Sequence, residues 1–421
     1  MKKTQMKLAD KNLKADDVRM RGFKKRSPVE EAITWLDQQS IDLPEQRIPL
    51  QKAAGRILAS DVISQFNIPG FDRSMMDGYA IVASAAQGAS PYNQLQLQVI
   101  GKSMPGQGST AKVTLETAVR IMTGAPVPEG ANAVLPAENI EIDDQFIMVM
   151  ESVAEGRNIG RIGEDIAEGS IILKKGRCLR AQDIALLASI GEKTVSVYKK
   201  PRISIAVTGN EILEVGESPK DYQIINSNGP MLEALSNRDG GVISSSRIVP
   251  DDPELIRQAM IDDYDILLLT GGTSVGEEDL APLLLAEAGT LAIHGVAMRP
   301  SRSTGMGTIG NKLVFLLPGN PVACLCAYDF FAGRFIRHIS GHSKNEPYRS
   351  VRKKLKQKMV SMIGRTDYAR VRLSGDFVEP IAISGAAILS STTQADGFVI
   401  IPTNSEGYPP ETEVDVFLYD S

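Results

Sequence analysis

The chain contains few of the residues that most often build metal sites and disulfide frameworks. It has three cysteines and three histidines among 421 residues. An odd and low cysteine count indicates a reducing compartment. Cys324 and Cys326 stand two apart in a predicted helix and do not share a face, so we interpret them as buried small apolar residues. The three histidines form no zinc-type pair, which argues against a histidine-based metal site or triad.

Long apolar segments are also lacking. No run approaches the roughly 20 apolar residues that span a bilayer. The first 26 residues contain many lysines and arginines, but no apolar segment follows them, which argues against a secretory signal. The net charge of −5, from 46 basic and 51 acidic residues, argues against general nucleic-acid binding. We expect a cytoplasmic protein with a disordered tail over residues 1–26 and no membrane or nucleic-acid partner.

The length predicts several domains, since one hydrophobic core rarely serves so long a chain. The hydrophobic share of 43% and the charged share of 23% are typical of a globular protein. The texture of the sequence changes three times. We predict a discontinuous helical and β linking domain (27–50 and 167–199), a β-rich domain (51–166), an α/β domain (200–345) and a C-terminal β-barrel or small sandwich (346–421).

Residues 200–345 alternate between predicted strands and helices, which is typical of a doubly wound parallel sheet. The predicted strands are ISIAVT (203–208), VISSSRIV (242–249), DILLLT (265–270) and VFLL (314–317). The predicted helices cover 228–240, 253–262, 280–289 and 322–337. Three further helices are expected in the linking domain: one from Ser27 and Pro28, a short one from Leu50, and an apolar helix that follows a strand or hairpin within residues 169–191.

Polar or glycine-rich turns follow three of these strands, and their most informative member is GGTSVGEED (271–279). TGNE (208–211) and PGNP (318–321) are the other two. The crevice outside the carboxyl ends of parallel strands is the usual ligand site of such a sheet. Neither a P-loop nor a G-x-G-x-x-G motif after a strand is present, which argues against those two nucleotide sites.

Carboxylates, hydroxyls and glycines dominate these turns, and this inventory suits a hard cation such as Mg²⁺ beside phosphate oxygens. Glu211, Asp251, Asp252 and Asp279 are the candidate ligands or catalytic groups. Each of the three aspartates has a second interpretation as a helix cap.

Three loops of the β-rich domain also carry candidate site residues. FDRSMMDGYAI (71–81) contains Asp77, and IMTGAPVPEGAN (121–132) contains Thr123. RIGEDI (161–166) contains Asp165. These loops are either ordinary turns of the β-domain or parts of a site.

Taken together, the motifs closely resemble the molybdopterin molybdenumtransferase family, MoeA and the gephyrin E domain. The resemblance covers roughly residues 27–421 and keeps the order of the motifs. The family motifs appear here as Ser74 to Ala80, Ile121 to Gly130, Arg161 to Ile166, Thr208 to Glu211, Gly271 to Asp279 and Leu317 to Pro321.

The resemblance implies a four-domain subunit, a homodimer and an active site between two copies. It implies that adenylylated molybdopterin and molybdate bind, that the pyrophosphate bond is cleaved with Mg²⁺, and that molybdenum cofactor and AMP are formed. Partners could include a molybdopterin adenylyltransferase and enzymes that accept the cofactor.

The resemblance also assigns roles to residues. Glu211 and Asp279 would hold the metal or the nucleotide, with Asp251 or Asp252 assisting. Asp77, Thr123 and Asp165 would come from a second copy of the chain. The cofactor-binding set would be Gly271, Gly272, Ser274, Gly276, Arg302, Pro318, Gly319 and Asn320.

The sequence departs from the family pattern at three places, all near the expected anion pocket. Gly160 stands where an arginine is common, and Asn226 replaces an aspartate. Ser301-Arg302-Ser303 follows Pro300 where the family has Gly-Lys-Pro, and arginine presents a planar fork instead of a point charge. Two alternatives stay open: adenylyl transfer to molybdopterin, as in the related MogA proteins, and a non-catalytic scaffold.

Overall fold

The computed structural model describes residues 26–272, 280–382 and 385–419. The chain forms two compact units. We call Arg47–Val197 the N-terminal unit, and residues 26–46 together with 198–419 the C-terminal unit. Within the described ranges, no helix has the length and apolar character needed to cross a membrane.

A six-stranded sheet forms the centre of the C-terminal unit. Four of its strands are parallel, in the order Val242–Val249, Arg202–Thr208, Ile266–Thr270 and Lys312–Leu317. Every residue of the strand Ile266–Thr270 is buried, as a run of apolar residues in a parallel sheet requires. The predicted doubly wound sheet is therefore confirmed.

Two antiparallel strands, which the sequence did not predict, extend this sheet at one edge. Gly305–Ile309 pairs with Lys312–Leu317, and Thr290–His294 pairs with Gly305–Ile309. Only residues 310 and 311 join the first two strands, and so short a connection requires antiparallel pairing. Gly310 supplies the positive φ of 56° in this turn.

Helices cover both faces of the sheet, because alternate residues of each strand point to opposite sides. One core cluster includes Ile205, Leu268, Phe315 and the buried Cys324 and Cys326. This burial agrees with the interpretation of both cysteines as apolar residues. The opposite cluster uses the alternate positions, such as Leu267 and Leu269. The helices on the two faces are Val29–Asp37, Asn228–Arg238, Pro321–Ala327 and Gly333–Ile339 on the first, and Pro253–Ile261 and Ala281–Ala288 on the second.

The final helical segment is not one regular α-helix. A π-helical stretch, Tyr328–Ala332, separates Pro321–Ala327 from Gly333–Ile339. This stretch places Asp329 in the interior with 2% exposure, where Tyr348 donates to its carboxylate. Burial raises the pKa of Asp329 to about 6.

The C-terminal region closes into a five-stranded β-barrel, as predicted. Closure occurs because Thr366–Ser374 pairs with a strand on each side, Phe377–Ala382 and Gly397–Ile401. Ser350–Leu355 and Glu413–Leu418 complete the ring. A short strand, Met298–Arg299, which lies in the chain between the two antiparallel strands of the central sheet, also pairs with Thr366–Ser374.

The N-terminal unit contains a second six-stranded sheet and a smaller core beside it. The sheet order is Ala133–Pro136, Gly78–Ile81, Thr117–Ile121, Leu95–Ser103, Phe146–Val149 and Ile140–Asp143. Short strands pair outside it: Val62–Ile63 with Ile171–Leu173, and Arg73–Ser74 with Ile159–Gly160. The strands Glu45–Pro49 and Thr194–Tyr198 lie where the chain enters and leaves this unit. The smaller core joins Ile48 and Leu50 to residues of the helix Ala181–Ser189.

The region before the N-terminal sheet differs from the prediction in two respects. The short helix expected from Leu50 is wrong, because only one 3-10 turn, Leu50–Lys52, is present. Gly55 then takes a φ of 74°, and Leu58 bridges to Val197. The first helix, Val29–Asp37, buries its apolar face in the core of the C-terminal unit, although the sequence grouped it with residues 167–199.

Candidate active site

A cavity of about 430 Å³ lies at the carboxyl ends of three neighbouring strands in the C-terminal unit. The strands are Arg202–Thr208, Ile266–Thr270 and Lys312–Leu317, and the turn after each one contributes to the wall. We call this cavity the glycine cleft. It lies where the sequence predicted the ligand crevice of the sheet.

Glycine is required at the centre of this cleft by close backbone contacts. Gly271 has a φ of 95°, and a Cβ atom placed there would lie 2.3 Å from the carbonyl oxygen of Thr208. The next turn approaches from the other side, since a Cβ on Gly319 would lie 3.5 Å from the Gly271 Cα. Any side chain at Gly271 would therefore push the turns apart.

The Asn228 side chain links two of the turns that form the cleft by hydrogen bonds. Its side-chain amide nitrogen donates to Thr270 Oγ1 at 3.0 Å and to the carbonyl oxygen of Gly319 at 2.7 Å. Thr270 in turn donates to the carbonyl oxygen of Pro318 at 3.0 Å. Asn228 and Thr270 are 5% and 1% exposed, so this network is shielded from water.

Backbone N–H groups of the cleft are available for an anion. Gly271 is already bonded, because its N–H donates to Leu317 O at 3.3 Å. The N–H groups of Gly272, Gly319 and Asn320 donate to no other described residue. Convergent N–H groups at such turns form the usual cradle for phosphate and related oxyanions.

The structure brings together most of the predicted cofactor-binding residues. Those that line the glycine cleft are Gly271, Gly272, Pro318, Gly319 and Asn320. Ser274 and Gly276 lie outside the described residues. Arg302 is exposed and does not line the cleft, whereas its neighbour Ser303 does.

Two carboxylate residues, Glu211 and Asp251, line the same cleft. Asp251 and Asn210 hold each other in place, since the backbone N–H of each donates to the other's side-chain oxygen at 3.2 Å. The described residues contain no group of three or more acidic, histidine or cysteine side chains arranged for a metal. Asp279, the other predicted metal ligand, lies outside them.

Asp252 caps a helix and does not line the cleft. Its Oδ1 accepts from the backbone N–H groups of Glu254 at 2.9 Å and Leu255 at 3.0 Å. This capping agrees with the second interpretation of the sequence for Asp252. Asp251 is the member of the pair that faces the cleft.

The N-terminal unit has a cavity of about 440 Å³ around Asp77, which we call the Asp77 pocket. Asp77 Oδ1 accepts from the backbone N–H of Thr123 at 2.7 Å and from its hydroxyl at 2.8 Å. These two hydrogen bonds, assisted by the charge of Arg120, hold the pKa of Asp77 below its usual value. The predicted pair of Asp77 and Thr123 is therefore in direct contact.

Gly78 helps to fix the position of its neighbour Asp77. A Cβ on Gly78 would lie 1.8 Å from the carbonyl oxygen of Leu135, so only glycine fits between the strands. Ser74 closes the turn by donating to the carbonyl oxygen of Met76 at 2.6 Å. Asp77 is thus held at the exposed start of the strand Gly78–Ile81.

The third predicted loop lies beside this turn, but Asp165 does not line the Asp77 pocket. Gly160 pairs with Arg73 in a short antiparallel ladder. Asp165 is exposed, and its backbone N–H donates to Ile68 O at 3.0 Å. Arg161, the basic residue of this loop, forms an ion pair with Asp72 at 2.7 Å.

Sequence reasoning assigned no separate role to Asn228. The available signal was the nearby departure from the family pattern at Asn226, two residues before it. Its contacts depend on which turns meet in space, which this signal alone does not reveal.

Three family models match the chain in succession. Residues 27–191 match the MoeA N-terminal region (domains I and II), and residues 352–419 match the MoeA C-terminal region (domain IV). Residues 204–338, which contain all the residues that line the glycine cleft, match the family described as "Probable molybdopterin binding domain". The chain belongs to the MoeA family.

Individual relatives of the MoeA family match over nearly the full length. Molybdopterin molybdenumtransferase of Staphylococcus aureus is 33% identical over 404 residues, which cover 94% of this chain and 96% of the relative. A protein of Methanocaldococcus jannaschii whose name places it in molybdopterin biosynthesis is 35% identical, covering 89% and 92%. The crystal structure of the MoeA protein of Pyrococcus horikoshii superposes with a TM-score of 0.85 at 31% identity, covering 94% of this chain and 100% of that one.

Proposed function

We propose that this protein is a molybdenum insertase, which transfers molybdenum from molybdate to adenylylated molybdopterin and releases AMP. The observation that carries the proposal is the glycine cleft, which lies within a region matching a molybdopterin-binding family. Relatives named molybdopterin molybdenumtransferase support a transferase role in molybdenum cofactor biosynthesis.

The glycine cleft has the groups that binding of an adenylylated substrate requires. The N–H groups of Gly272, Gly319 and Asn320 would hold its pyrophosphate, because no described residue uses them. The close backbone approach at Gly271 leaves room for the substrate instead of a side chain. Water then cleaves the pyrophosphate bond and releases AMP, while the two dithiolene thiols take up molybdenum from molybdate and one molybdate oxygen leaves as water.

Mg²⁺ fits the carboxylates of this cleft. In proteins Mg²⁺ is commonly held by one or two carboxylates together with substrate phosphates. Glu211 and Asp251, which both line the cleft, would supply such carboxylates, and Asp279 is a further candidate ligand outside the described residues. When bound, the cation would neutralise charge that develops on the phosphate oxygens.

The Asp77 pocket has a place in the same proposal. We infer that the protein works as a homodimer, in which Asp77 and Thr123, with Asp165, complete the glycine cleft of a second copy. Met75 is 60% exposed, Met76 36% and Phe71 47%, and exposed apolar side chains of this kind mark interaction surfaces. An adenylyltransferase that supplies the substrate and enzymes that accept the product are the expected partners, in the cytoplasm.

Reconstitution tests the proposed reaction directly. Purified protein is incubated with adenylylated molybdopterin, molybdate and Mg²⁺, and AMP release and cofactor formation are both measured. Insertion predicts that both depend on molybdate and that Asp279→Asn abolishes them while the protein stays folded. Synthesis of adenylylated molybdopterin from molybdopterin and ATP would instead identify an adenylyltransferase. Binding without either reaction would identify a scaffold.

A further inference from the structure

One polar atom in the wall of the glycine cleft has no hydrogen-bond partner. Asn228 Oδ1 is buried and bonded to nothing in the described structure. The orientation of the amide is fixed, because the carbonyl oxygen of Gly319 can only accept and so must face the Asn228 nitrogen. The second amide hydrogen goes to Thr270, which itself donates to Pro318. Both donors of Asn228 are therefore used, and its acceptor remains.

A buried acceptor without a hydrogen-bond partner destabilises the folded protein. Native proteins retain such groups mainly where a ligand, water or ion completes them. Asn228 is 95% buried, being 5% exposed, and it lines the cavity beside Gly271 and Gly319. Because Asn228 borders the cleft, we infer that a partner reaches Oδ1 from the cleft, by a small movement of the side chain.

The missing partner must be a hydrogen-bond donor. Phosphate and molybdate present only acceptor oxygens at their ionised faces, so they are repelled by Oδ1 and attracted by the N–H groups of Gly272 and Gly319. The cleft thus has two chemically different places, one for anionic oxygens and one for a neutral donor.

We propose that Asn228 Oδ1 accepts a hydrogen bond from an amino or hydroxyl group of the bound substrate and so fixes which end of that substrate enters the glycine cleft. The inference rests on the proposed function, which supplies two sources of such a group: the amino group of a heterocycle and the hydroxyls of a ribose. Asn228 is thereby a specificity residue that contacts substrate, in addition to joining the turns.

Equilibrium binding to the full-length protein tests this role with three pairs of probes. The pairs are pterin and lumazine, AMP and IMP, and AMP and its 2′,3′-dideoxy analogue. In each pair the second compound lacks the amino or hydroxyl donor of the first. The expected result is that one pair differs by about tenfold in Kd for the wild type and that Asn228→Ala removes the difference.

Thr270→Val is the matched control, because it should loosen the contact between the turns without removing Asn228 Oδ1. It removes one partner of the Asn228 nitrogen and the bond to Pro318, but it leaves Oδ1 in place. It should weaken both members of a pair alike and keep their ratio. A ratio that survives Asn228→Ala, or one that Thr270→Val abolishes equally, would overturn the inference and leave the insertase proposal standing. Failure of the wild type to bind any probe would overturn both.

Discussion

The glycine cleft and the Asp77 pocket are built by opposite means. In the cleft, the decisive contacts are between backbones, and Gly271 approaches Thr208 so closely that no side chain fits. In the Asp77 pocket, side-chain geometry decides, because Thr123 presents both its N–H and its hydroxyl to one carboxylate oxygen. At Gly271 the cleft is therefore sensitive to added atoms, whereas the Asp77 carboxylate is sensitive to lost hydrogen bonds.

Gly271→Ala should give the largest effect and break the cleft. The new Cβ would lie 2.3 Å from Thr208 O at a φ of 95°, so the turns must separate. We expect AMP and pterin binding to be lost and the free energy of unfolding to fall by about 3 kcal/mol. Calorimetry and chemical denaturation measure the two effects.

Gly70→Ala is the control for that change. Gly70 has no positive φ, and the nearest atom to its added Cβ is 3.7 Å away, so no strain is expected. Equal effects of the two substitutions on stability would contradict the backbone account of the cleft.

Asp77→Asn should break the other site without loss of the fold. Asp77 is exposed, and we expect insertion to fall by about 10²-fold. Little change in melting temperature is expected, because substitutions of exposed side chains usually have small effects on stability. Thr123→Val removes one of the two bonds and should have a smaller effect. The measurements are the insertion rate in the reconstituted reaction and the melting temperature of each variant. A fall in melting temperature that accompanies the fall in rate would argue for a purely structural role.

The pH dependence of activity in the Thr123→Val variant tests whether Asp77 must be ionised. Thr123 lowers the pKa of Asp77, so the carboxylate stays ionised to lower pH in the wild type than it would alone. Loss of the hydroxyl bond raises that pKa. The acidic limb of the activity profile should then move to higher pH, and an unmoved limb would show that ionised Asp77 is not required.

Asp329 provides the contrasting carboxylate, because burial moves its pKa upward to about 6. A carboxyl whose pKa is higher in the folded state than in the unfolded state stabilises the fold fully below its unfolded pKa of about 3.9. That contribution is lost as the pH rises through 6. Asp329→Asn should therefore flatten the fall in unfolding free energy between pH 4 and 7. Denaturant titrations across that range would show an unchanged slope if burial of Asp329 were not the cause.

Substitutions of the adjacent residues Asp251 and Asp252 should give the smallest effects. They distinguish a residue that lines the cleft from one that caps a helix. Asp252→Ala removes a helix cap and should cost about 1 kcal/mol of stability. Asp251→Ala should reduce insertion more than Asp252→Ala does, because Asp251 lines the cleft. Stability and turnover are measured on both variants. A larger effect of Asp252→Ala on turnover would contradict the assignment of Asp251 to the cleft and Asp252 to the helix cap.

Much of the fold was predictable because its elements have strong local patterns. The strand Ile266–Thr270 is continuously apolar, and Asp252-Pro253 begins a helix in the expected way. The antiparallel strand Gly305–Ile309 was missed because two of its five residues are glycine. The helix from Leu50 was predicted wrongly because tertiary pairing of Leu58 outweighed local propensity.

The candidate site was predictable where a motif fixed local geometry, and less so where distant turns meet. Asp77 and Thr123 lie 46 residues apart, yet both stood in motifs and they are in direct contact. The choice between Asp251 and Asp252 needed the structure, because neighbouring side chains point in different directions. The roles of Asp279, Ser274 and Gly276 stay predictions.

The pairing of Met298–Arg299 with the barrel strand Thr366–Ser374 has a mechanical consequence. Thr366 also donates its N–H to Ala297 O at 2.9 Å, and Ser303 at the rim of the glycine cleft follows only four residues after Arg299. The barrel therefore supports one rim of the cleft. We expect a shift of the strand Thr366–Ser374 to move Ser303 as well, because Met298–Arg299 pairs with that strand and lies only a few positions before Ser303 in the chain.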